Sequence, residues 1–229
     1  MVPLEKVQQA THRLVRTVDH MPDEQYAAPS LLPGWSRAHV VAHLALNAEG
    51  LAGALAGAAR GREVPMYASP EARDADIAEL ATASPSMLRT RLLGATSEFA
   101  GSMSGMPDDA WGTTIHRTPG VRAFVAGAVP GMREREVEIH HADLGLAYSR
   151  RDWPAEFAER LLGSVCKGDS DRRFSVHATD LDRTWRCGTG ADGPTVSGTG
   201  ADLGWWLTGR GDGDGLTSDD GALPRIEEW

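Results

Sequence analysis

The sequence predicts an α+β fold, with a helical bundle over residues 1–150 and a small α/β domain over residues 151–229. Apolar residues recur at helical spacing through most of the first region, which favours helices packed around a common core. The second region alternates short apolar runs with Gly/Asp turns, as expected of a small sheet with a few helices. A length of 229 residues is enough for this pair of domains.

Capping signals place the helices of the first region. Ser36 and Ser69 are good N-caps, and Pro70 stands at the first helical position after Ser69, where proline is favoured. Pro130, with glycines close by on both sides, predicts that the last helix is kinked or starts late. The predicted helices cover residues 2–20, 36–60, a short stretch from 69, 86–99 and 122–148, with a loop over 101–120.

Strand and helix signals alternate in the second region. The predicted elements are a helix over 153–165, strands over 173–179, 182–187 and 194–199, a helix over 201–208 and a loop over 209–221. Trp205 and Trp206 on the last helix are expected in the core of the small domain. Cys166 and Cys187 are too few for a disulfide framework and form no CxxC pair, so we expect a buried thiol for each.

Composition and charge exclude two classes of partner. Hydrophobic residues make up 41% and charged residues 24%, as is ordinary for a soluble globular protein. No apolar run approaches the roughly 18 residues of a membrane helix, so no membrane partner is expected. Residues 1–10 lack the apolar stretch of a signal peptide, which predicts a cytoplasmic protein. The formal net charge of −9 argues against nucleic-acid binding, which needs a basic surface.

Two residue pairs with i,i+4 spacing could contribute metal ligands. Glu136 and His140 share one face of a predicted helix, about 6 Å apart at Cβ, and His39 and His43 have the same spacing on another. Two histidines and one carboxylate leave an open position on zinc, as catalytic sites require. Spacing alone leaves open that Glu136 and His140 are a solvated surface pair, and that His39 and His43 are core histidines. His141, about 100° away from His140, is expected behind the ligands or facing a partner.

Four segments of the chain resemble a known family. They are Leu32-Pro-Gly-Trp-Ser-Arg-Ala-His-Val-Val-Ala-His-Leu44 followed by Asn47, Arg135-Glu-Val-Glu-Ile-His140 with Ala142-Asp-Leu-Gly145, Pro65-Met-Tyr-Ala-Ser-Pro-Glu-Ala-Arg73, and Gly209-Arg-Gly211. Together they resemble the mycothiol-dependent maleylpyruvate isomerases, which belong to the DinB-like metal-binding superfamily. The first two segments mark the superfamily, the other two resemble the isomerase itself, and the likeness covers nearly the whole chain. It implies a DinB-like fold for the helical bundle.

The resemblance implies roles residue by residue. The metal ligands fall on His43, Glu136 and His140, with zinc as the implied ion and mycothiol as the implied thiol, whereas His39 has no ligand role in the family pattern. The implied catalytic residue of the C-terminal domain is Arg210, whose guanidinium could hold a substrate carboxylate through two parallel hydrogen bonds. Without the resemblance, Arg210 would be interpreted as a solvated loop residue.

Asn47 and Arg73 are weaker candidates for binding the substrate or the thiol. Asn47 lies one turn beyond His43 on the same helix face, but packing against a neighbouring helix would explain it equally well. Arg73 could meet a carboxylate, although an ion pair on the helix surface is the simpler interpretation.

The implied activity is the conversion of maleylpyruvate to fumarylpyruvate, a cis–trans isomerisation in gentisate degradation. A metal-activated thiolate would add to the double bond, allow rotation and leave again. A mycothiol S-transferase, which uses the same thiolate on another electrophile, stays open as an alternative. A non-catalytic binding module stapled by the metal is a third possibility, with Asp143 or His141 as a fourth ligand. A non-haem iron oxygenase is disfavoured because its ligands usually lie in a β-barrel, and the oligomeric state is left open.

Overall fold

The structure is a computed structural model that describes residues 2–121, 123–168, 171–189 and 193–226. It divides into two compact units, Met1–Gly145 and Leu146–Trp229. The first unit consists of helices with one short hairpin, and the second combines helices with a four-stranded sheet. The predicted α+β fold class is therefore confirmed. Met1 and Arg122, which begin two predicted segments, lie outside the described residues.

Five α-helices form the described part of the first unit. They are α1 (Leu4–His20), α2 (Arg37–Ala58), α3 (Pro70–Leu80), α4 (Pro85–Ser104) and α5 (Val129–Asp143). The hydroxyls of Ser36 and Ser69 accept hydrogen bonds from His39 N and Ala72 N, in the first turns of α2 and α3, as predicted. Pro130 lies in the first two residues of α5, so this helix starts late at a position that suits proline.

Strands β1 (Thr114–His116) and β2 (Ala123–Val125) pair antiparallel in a hairpin that the sequence analysis misses. The predicted loop over 101–120 and the predicted helix from 122 are wrong at these two strands. Three residues are too few to display the alternation of a strand. The edge of the hairpin is held instead by a contact from a distant segment, in which Met66 N donates to His116 O at 3.2 Å.

Helix α2 is the core helix of the first unit. Its length and mean hydropathy of 1.3 would suit a membrane span. No uninterrupted apolar run reveals this property, because His43, Asn47 and Glu49 interrupt a stretch rich in alanine and leucine. Within the structure, 72% of this apolar window is buried inside the protein, as in the core helix of a soluble domain.

The second unit packs helices on a small sheet. Its elements are α6 (Ala155–Gly168), β3 (Phe174–Ala178), β4 (Arg183–Cys187), β5 (Thr195–Gly198), α7 (Gly200–Leu207) and β6 (Thr217–Ser218). The strands lie in the order β4-β3-β5-β6, with β3 and β5 parallel and the outer pairs antiparallel. The predicted strands and helices are present with slightly different ends, and β6 adds a short strand to the predicted loop over 209–221.

The core of the second unit is apolar and aromatic. Val176 in the middle of β3 is fully buried, and Trp206 packs against Phe174 with ring centroids 5.6 Å apart. Trp205 is only partly buried and lies 5.9 Å from Trp153. The predicted core role therefore applies fully to Trp206 and partly to Trp205.

Cys166 and Cys187 form a disulfide, so the expectation of two buried thiols is wrong. Cys166 lies near the end of α6 and Cys187 ends β4, and both side chains are buried. Gly188 N donates a hydrogen bond to Cys166 O at 3.3 Å, which keeps the two segments together. Their sequence separation of 21 residues hides this proximity, because only the packing of α6 on the sheet creates it.

Candidate metal centre

His43 lies two turns into α2 with only 2% of its surface exposed. The Trp35 ring meets it edge-on, with ring centroids 5.7 Å apart. His39, one turn earlier, has a different environment, because its Nδ1 lies 2.7 Å from Ser36 Oγ in the capping box that starts α2. His43 is thus directed into the protein interior, and His39 stabilises the start of the helix.

Glu136 and His140 face His43 from α5. Glu136 Oε2 lies 2.9 Å from His43 Nε2 and 3.3 Å from His140 Nε2, and the two imidazole rings meet edge-on with centroids 4.6 Å apart. Ligand atoms of the three residues all lie within 4.8 Å of one another, and they form the one such group found among the described residues. Two imidazole nitrogens and a carboxylate oxygen are a donor set typical of three-ligand zinc sites.

Burial and hydrogen bonding set the charges of this cluster. Burial lowers the pKa of His43 to about 4, so the ring is neutral at pH 7. Burial also tends to lower the pKa of His140, but hydrogen bonds with Asp143 and Glu136 outweigh it and the pKa is raised. Burial would raise the pKa of Glu136, yet hydrogen bonds from the two imidazoles hold it well below its usual value. An ionised carboxylate between two histidines favours a cation.

Asp143 supports His140 from behind. Its Oδ2 lies 2.8 Å from His140 Nδ1, and the carboxylate is completely buried. A carboxylate on the far nitrogen orients the ring and leaves Nε2 facing the cluster, which is how histidine ligands are commonly supported in metal sites. His141 points elsewhere, with Nε2 2.8 Å from Thr17 Oγ1 of α1. Neither residue therefore lies where a fourth ligand would have to be.

Asn47 is buried one turn beyond His43 and helps to tie α2 to α5. The fully buried Arg133 of α5 donates from Nη1 to Asn47 Oδ1 at 2.8 Å and to Leu44 O at 2.9 Å. Burial lowers the pKa of Arg133 to about 10, so its side chain remains charged at pH 7. The Asn47 side chain also forms a hydrogen bond with Tyr67, whose pKa is raised mainly by burial. Asn47 thus has the packing role that was its alternative interpretation, beside the cluster.

Arg73 of α3 reaches the cluster from its outer side. Its Nη2 lies 3.3 Å from His43 Nδ1, and its Nη1 forms an ion pair with Asp74 at 2.6 Å. A guanidinium can only donate, so His43 Nδ1 is the acceptor and the ring proton is on Nε2, facing Glu136. Arg73 Cζ also lies 5.9 Å from the centroid of the Tyr67 ring. The ion pair of the simpler interpretation is present, and the same side chain contacts a candidate ligand.

Arg210 belongs to the second unit and is only 8% exposed. Its Nη1 donates to Thr208 O at 2.8 Å, and its Cζ lies 5.8 Å from the centroid of the Trp205 ring. Gly209 and Gly211 on either side have φ angles of 73° and 67°, which glycine adopts without strain. The interpretation of Arg210 as a solvated loop residue is therefore wrong, because its side chain is held against an aromatic ring.

Two family models match the chain. The mycothiol maleylpyruvate isomerase N-terminal domain matches residues 7–145, and the C-terminal domain of the same family matches residues 152–228. This chain belongs to the mycothiol maleylpyruvate isomerase family. The resemblance inferred from the four sequence segments is thereby confirmed.

Solved structures agree with this family assignment. The chain is similar to the crystal structure of the mycothiol-dependent maleylpyruvate isomerase, with a TM-score of 0.90 and 30% identity over 100% of this chain and 98% of the other. It is equally similar to a crystal structure of a histidine-to-alanine mutant of the mycothiol-dependent maleylpyruvate isomerase, with a TM-score of 0.90, 29% identity and the same coverage. No curated protein matches the chain.

Two residues around the cluster of this isomerase-family chain have functions that the sequence analysis does not assign. Arg133 is absent from the candidates, and Asp143 is considered only as a fourth ligand. Arg133 stands three residues before Glu136, and Asp143 three residues after His140, so both share a helix face with a candidate ligand. That spacing is the signal that could have identified them.

Proposed function

We propose that this chain is a mycothiol-dependent maleylpyruvate isomerase, which converts maleylpyruvate to fumarylpyruvate. The observation that carries the proposal is the cluster of His43, Glu136 and His140, with both histidines buried, in a chain that matches both domains of that family. The likeness to the solved isomerase extends over the whole chain, so the proposal does not rest on the metal-ligand domain alone.

The three cluster residues would hold a divalent ion, which we propose to be zinc. Glu136 is ionised and His43 is uncharged at neutral pH, so neither has to release a net proton to bind a metal. Metal binding at His43 Nε2 would require the ring proton to move from Nε2 to Nδ1. Asp143 fixes the ring of His140, the third ligand. When bound, the ion would supply the positive charge that keeps a thiol ionised near neutral pH. Three protein ligands leave coordination positions for an external group.

The chemistry explains why an external thiol is needed. A carbon–carbon double bond does not rotate, so the isomerase must make it single for a moment. A thiolate adds to the electron-poor alkene, and the electron pair of the double bond moves into the conjugated carbonyl group. Rotation gives the trans arrangement, after which return of the electron pair re-forms the double bond and expels the thiolate. A free thiol has a pKa of about 8.5, so the reaction depends on a site that stabilises its ionised form.

The protein contributes a largely buried site with a fixed charge. His43 and His140 are both less than a tenth exposed, and Trp35 covers His43 on one side. Glu136 carries the single negative charge among the three cluster side chains. One such charge leaves a divalent ion with one net positive charge, which matches one thiolate. Exclusion of water strengthens that attraction.

For the substrate, we propose that Arg210 binds a carboxylate of maleylpyruvate. Its guanidinium is already held by Trp205 and Thr208 O, so little side-chain freedom is lost on binding. We also keep Arg73 as a residue that contacts the thiol or the substrate, supported by its position 3.3 Å from His43. We propose that Asn47 affects binding of the thiol or the substrate only through the residues that it positions, because its own side chain is buried.

The cellular setting is part of the proposal. We place the isomerase in gentisate degradation and in the cytoplasm, where thiols are kept reduced. The disulfide between Cys166 and Cys187 is buried, so it is shielded from the thiols of that compartment.

The decisive assay follows fumarylpyruvate formed from maleylpyruvate by the metal-loaded protein, with and without mycothiol. We expect turnover only when mycothiol is present and only when the metal is bound. Turnover that ignores the thiol would contradict the mechanism, and a stable mycothiol conjugate without isomerisation would establish the S-transferase alternative.

A pair of variants tests the proposed carboxylate contact in the same assay. Arg210→Lys keeps the charge but loses the planar fork, so we expect the KM for maleylpyruvate to rise about tenfold. Arg225→Lys makes the same replacement at an exposed arginine of the second unit and serves as the matched control. Equal KM values for the two variants would exclude Arg210 from substrate binding.

A further inference from the structure

A cleft of about 620 Å³ lies beside the metal-ligand cluster within the first unit. One wall is the part of α2 that carries Glu49 and Gly53, and the other is the part of α3 that carries Asp76 and Glu79. The segment 64–68 closes the cleft between these two helices. The volume lies in the range of small-molecule sites, about 300–1,000 Å³.

Arg73 links this cleft to the cluster. Its side chain lines the cleft, while its Nη2 lies 3.3 Å from His43 Nδ1. Tyr67 also lines the cleft, and its ring lies 5.9 Å from Arg73 Cζ. A ligand that reaches the cluster with one end can therefore place its other end in the cleft, past the side chains of Arg73 and Tyr67.

The lining of the cleft suits a neutral polyhydroxylated group. Its charged side chains are three carboxylates and two guanidinium groups, so its formal charge is −1, which disfavours a substrate with two carboxylates. Glu49 and Arg91 neutralise each other in a two-point ion pair. Asp76 and Glu79 add further carboxylate oxygens to the lining, and such oxygens accept hydrogen bonds from hydroxyl groups.

We propose that this cleft binds the glucosamine–inositol part of mycothiol, while the cysteinyl thiol of the same molecule reaches the cluster of His43, Glu136 and His140. The inference rests on the proposed function, since it names the part of the protein that recognises the thiol cosubstrate. It assigns Asp76 and Glu79 to the sugar and inositol hydroxyls. It also predicts that the protein binds mycothiol more tightly than small thiols that carry the same reactive group.

Gly53 offers a way to fill the cleft without removing any contact. A Cβ atom added at this position would meet no atom within 4 Å, and the residue lines the cleft from α2. Gly94 of α4 is the matched control, because a Cβ there also meets no atom within 4 Å and the residue does not line the cleft. Both replacements remove a glycine from a helix interior, so both favour the helix to a similar degree.

The experiment measures the Kd of mycothiol and of N-acetylcysteine for the metal-loaded protein by calorimetry. For Gly53→Leu we expect the Kd of mycothiol to rise about tenfold or more, with the Kd of N-acetylcysteine and the metal content unchanged. Gly94→Leu should bind both thiols as the unmodified protein does. Asp76→Asn with Glu79→Gln should weaken mycothiol selectively as well, about threefold, without narrowing the cleft.

Three results would overturn the proposal. If the unmodified protein binds mycothiol no more tightly than N-acetylcysteine, it has no site for the sugar. If Gly53→Leu binds mycothiol with an unchanged Kd, the sugar does not bind in this cleft. A Gly53→Leu variant that weakens both thiols equally would indicate an effect on the cluster. Binding is measured apart from turnover, so any of these three results would exclude the cleft while the isomerase assay still decides the proposed function. Conversely, a protein that binds mycothiol selectively but does not isomerise maleylpyruvate would support the cleft and contradict the proposed isomerase function.

Discussion

Replacement of Asp143 by asparagine tests how the second layer of the cluster supports the ligands. The Asp143 carboxylate is completely buried, and its Oδ2 lies 2.8 Å from His140 Nδ1. Asparagine has nearly the same shape and can still accept a hydrogen bond, but it lacks the charge. We therefore expect the His140 ring to keep its place and to become a weaker donor toward a metal ion, while the pKa of His140 falls.

The size of the effect follows from the kind of bond that is changed. A buried hydrogen bond to a charged group contributes about 1.5–3 kcal/mol, and asparagine keeps only the neutral part of it. Loss of such support around histidine ligands typically weakens metal binding by about 10–100-fold, or about 1.4–2.7 kcal/mol. We expect Asp143→Asn to fall in this range for zinc.

The assay is competition for zinc with a chromophoric chelator, accompanied by thermal melting of the metal-free protein. The control is Glu138→Gln, which removes another buried carboxylate of α5, one that pairs with Arg13 at 2.5 Å outside the cluster. This control should lower the melting temperature and leave zinc affinity unchanged. Equal losses of zinc affinity in both variants, or none in Asp143→Asn, would refute the reasoning.

Two further predictions concern protons and the disulfide. In the metal-free protein the pKa of His43 is about 4 and that of His140 is raised, so at pH 6 a binding metal ion should displace about one proton, from His140. Metal affinity should therefore fall as the pH drops below the pKa of His140. Calorimetry in buffers of different ionisation enthalpy counts the protons released per metal ion. Release of two protons per ion would contradict the prediction. The double variant Cys166→Ser/Cys187→Ser should lower the free energy of unfolding by about 3 kcal/mol, because the disulfide no longer closes the loop between two residues 21 positions apart. Turnover with mycothiol should survive in this variant, because the proposed nucleophile is an external thiol. Urea unfolding measures the stability, and the isomerase assay measures the activity. Loss of activity in a folded variant would mean that a protein thiol takes part.

Local signals in the sequence predict most helix starts, because capping is a short-range interaction. The hydroxyls of Ser36 and Ser69 accept hydrogen bonds from amides in the next turn, and Pro70 has the fixed φ angle that suits the first helical position. Each residue is found at the start of its helix. Strands β3, β4 and β5 of the second unit are predicted for the same reason, since their pattern is visible within about five residues. The hairpin of β1 and β2 is missed because its strands are too short to carry that signal.

In the candidate site too, short-range features could be predicted from the sequence and contacts between distant segments could not. The i,i+4 spacing of Glu136 and His140 places them on one face of α5, but spacing alone cannot distinguish a metal pair from a surface pair. The resemblance adds His43 and excludes His39, and the structure places His39 in a capping box. Contacts across the fold could not be predicted, among them the hydrogen bond from Arg133 to Asn47.

By itself, the sequence determined the α+β fold class, most helix starts and, through its family segments, the three residues that meet in the cluster. Only the tertiary structure decided that Asp143 supports His140 rather than binding beside it and that Cys166 meets Cys187. The physical reason is that periodicity and capping act within a few residues of the chain. Burial, pKa and pairing depend on which distant segments pack together.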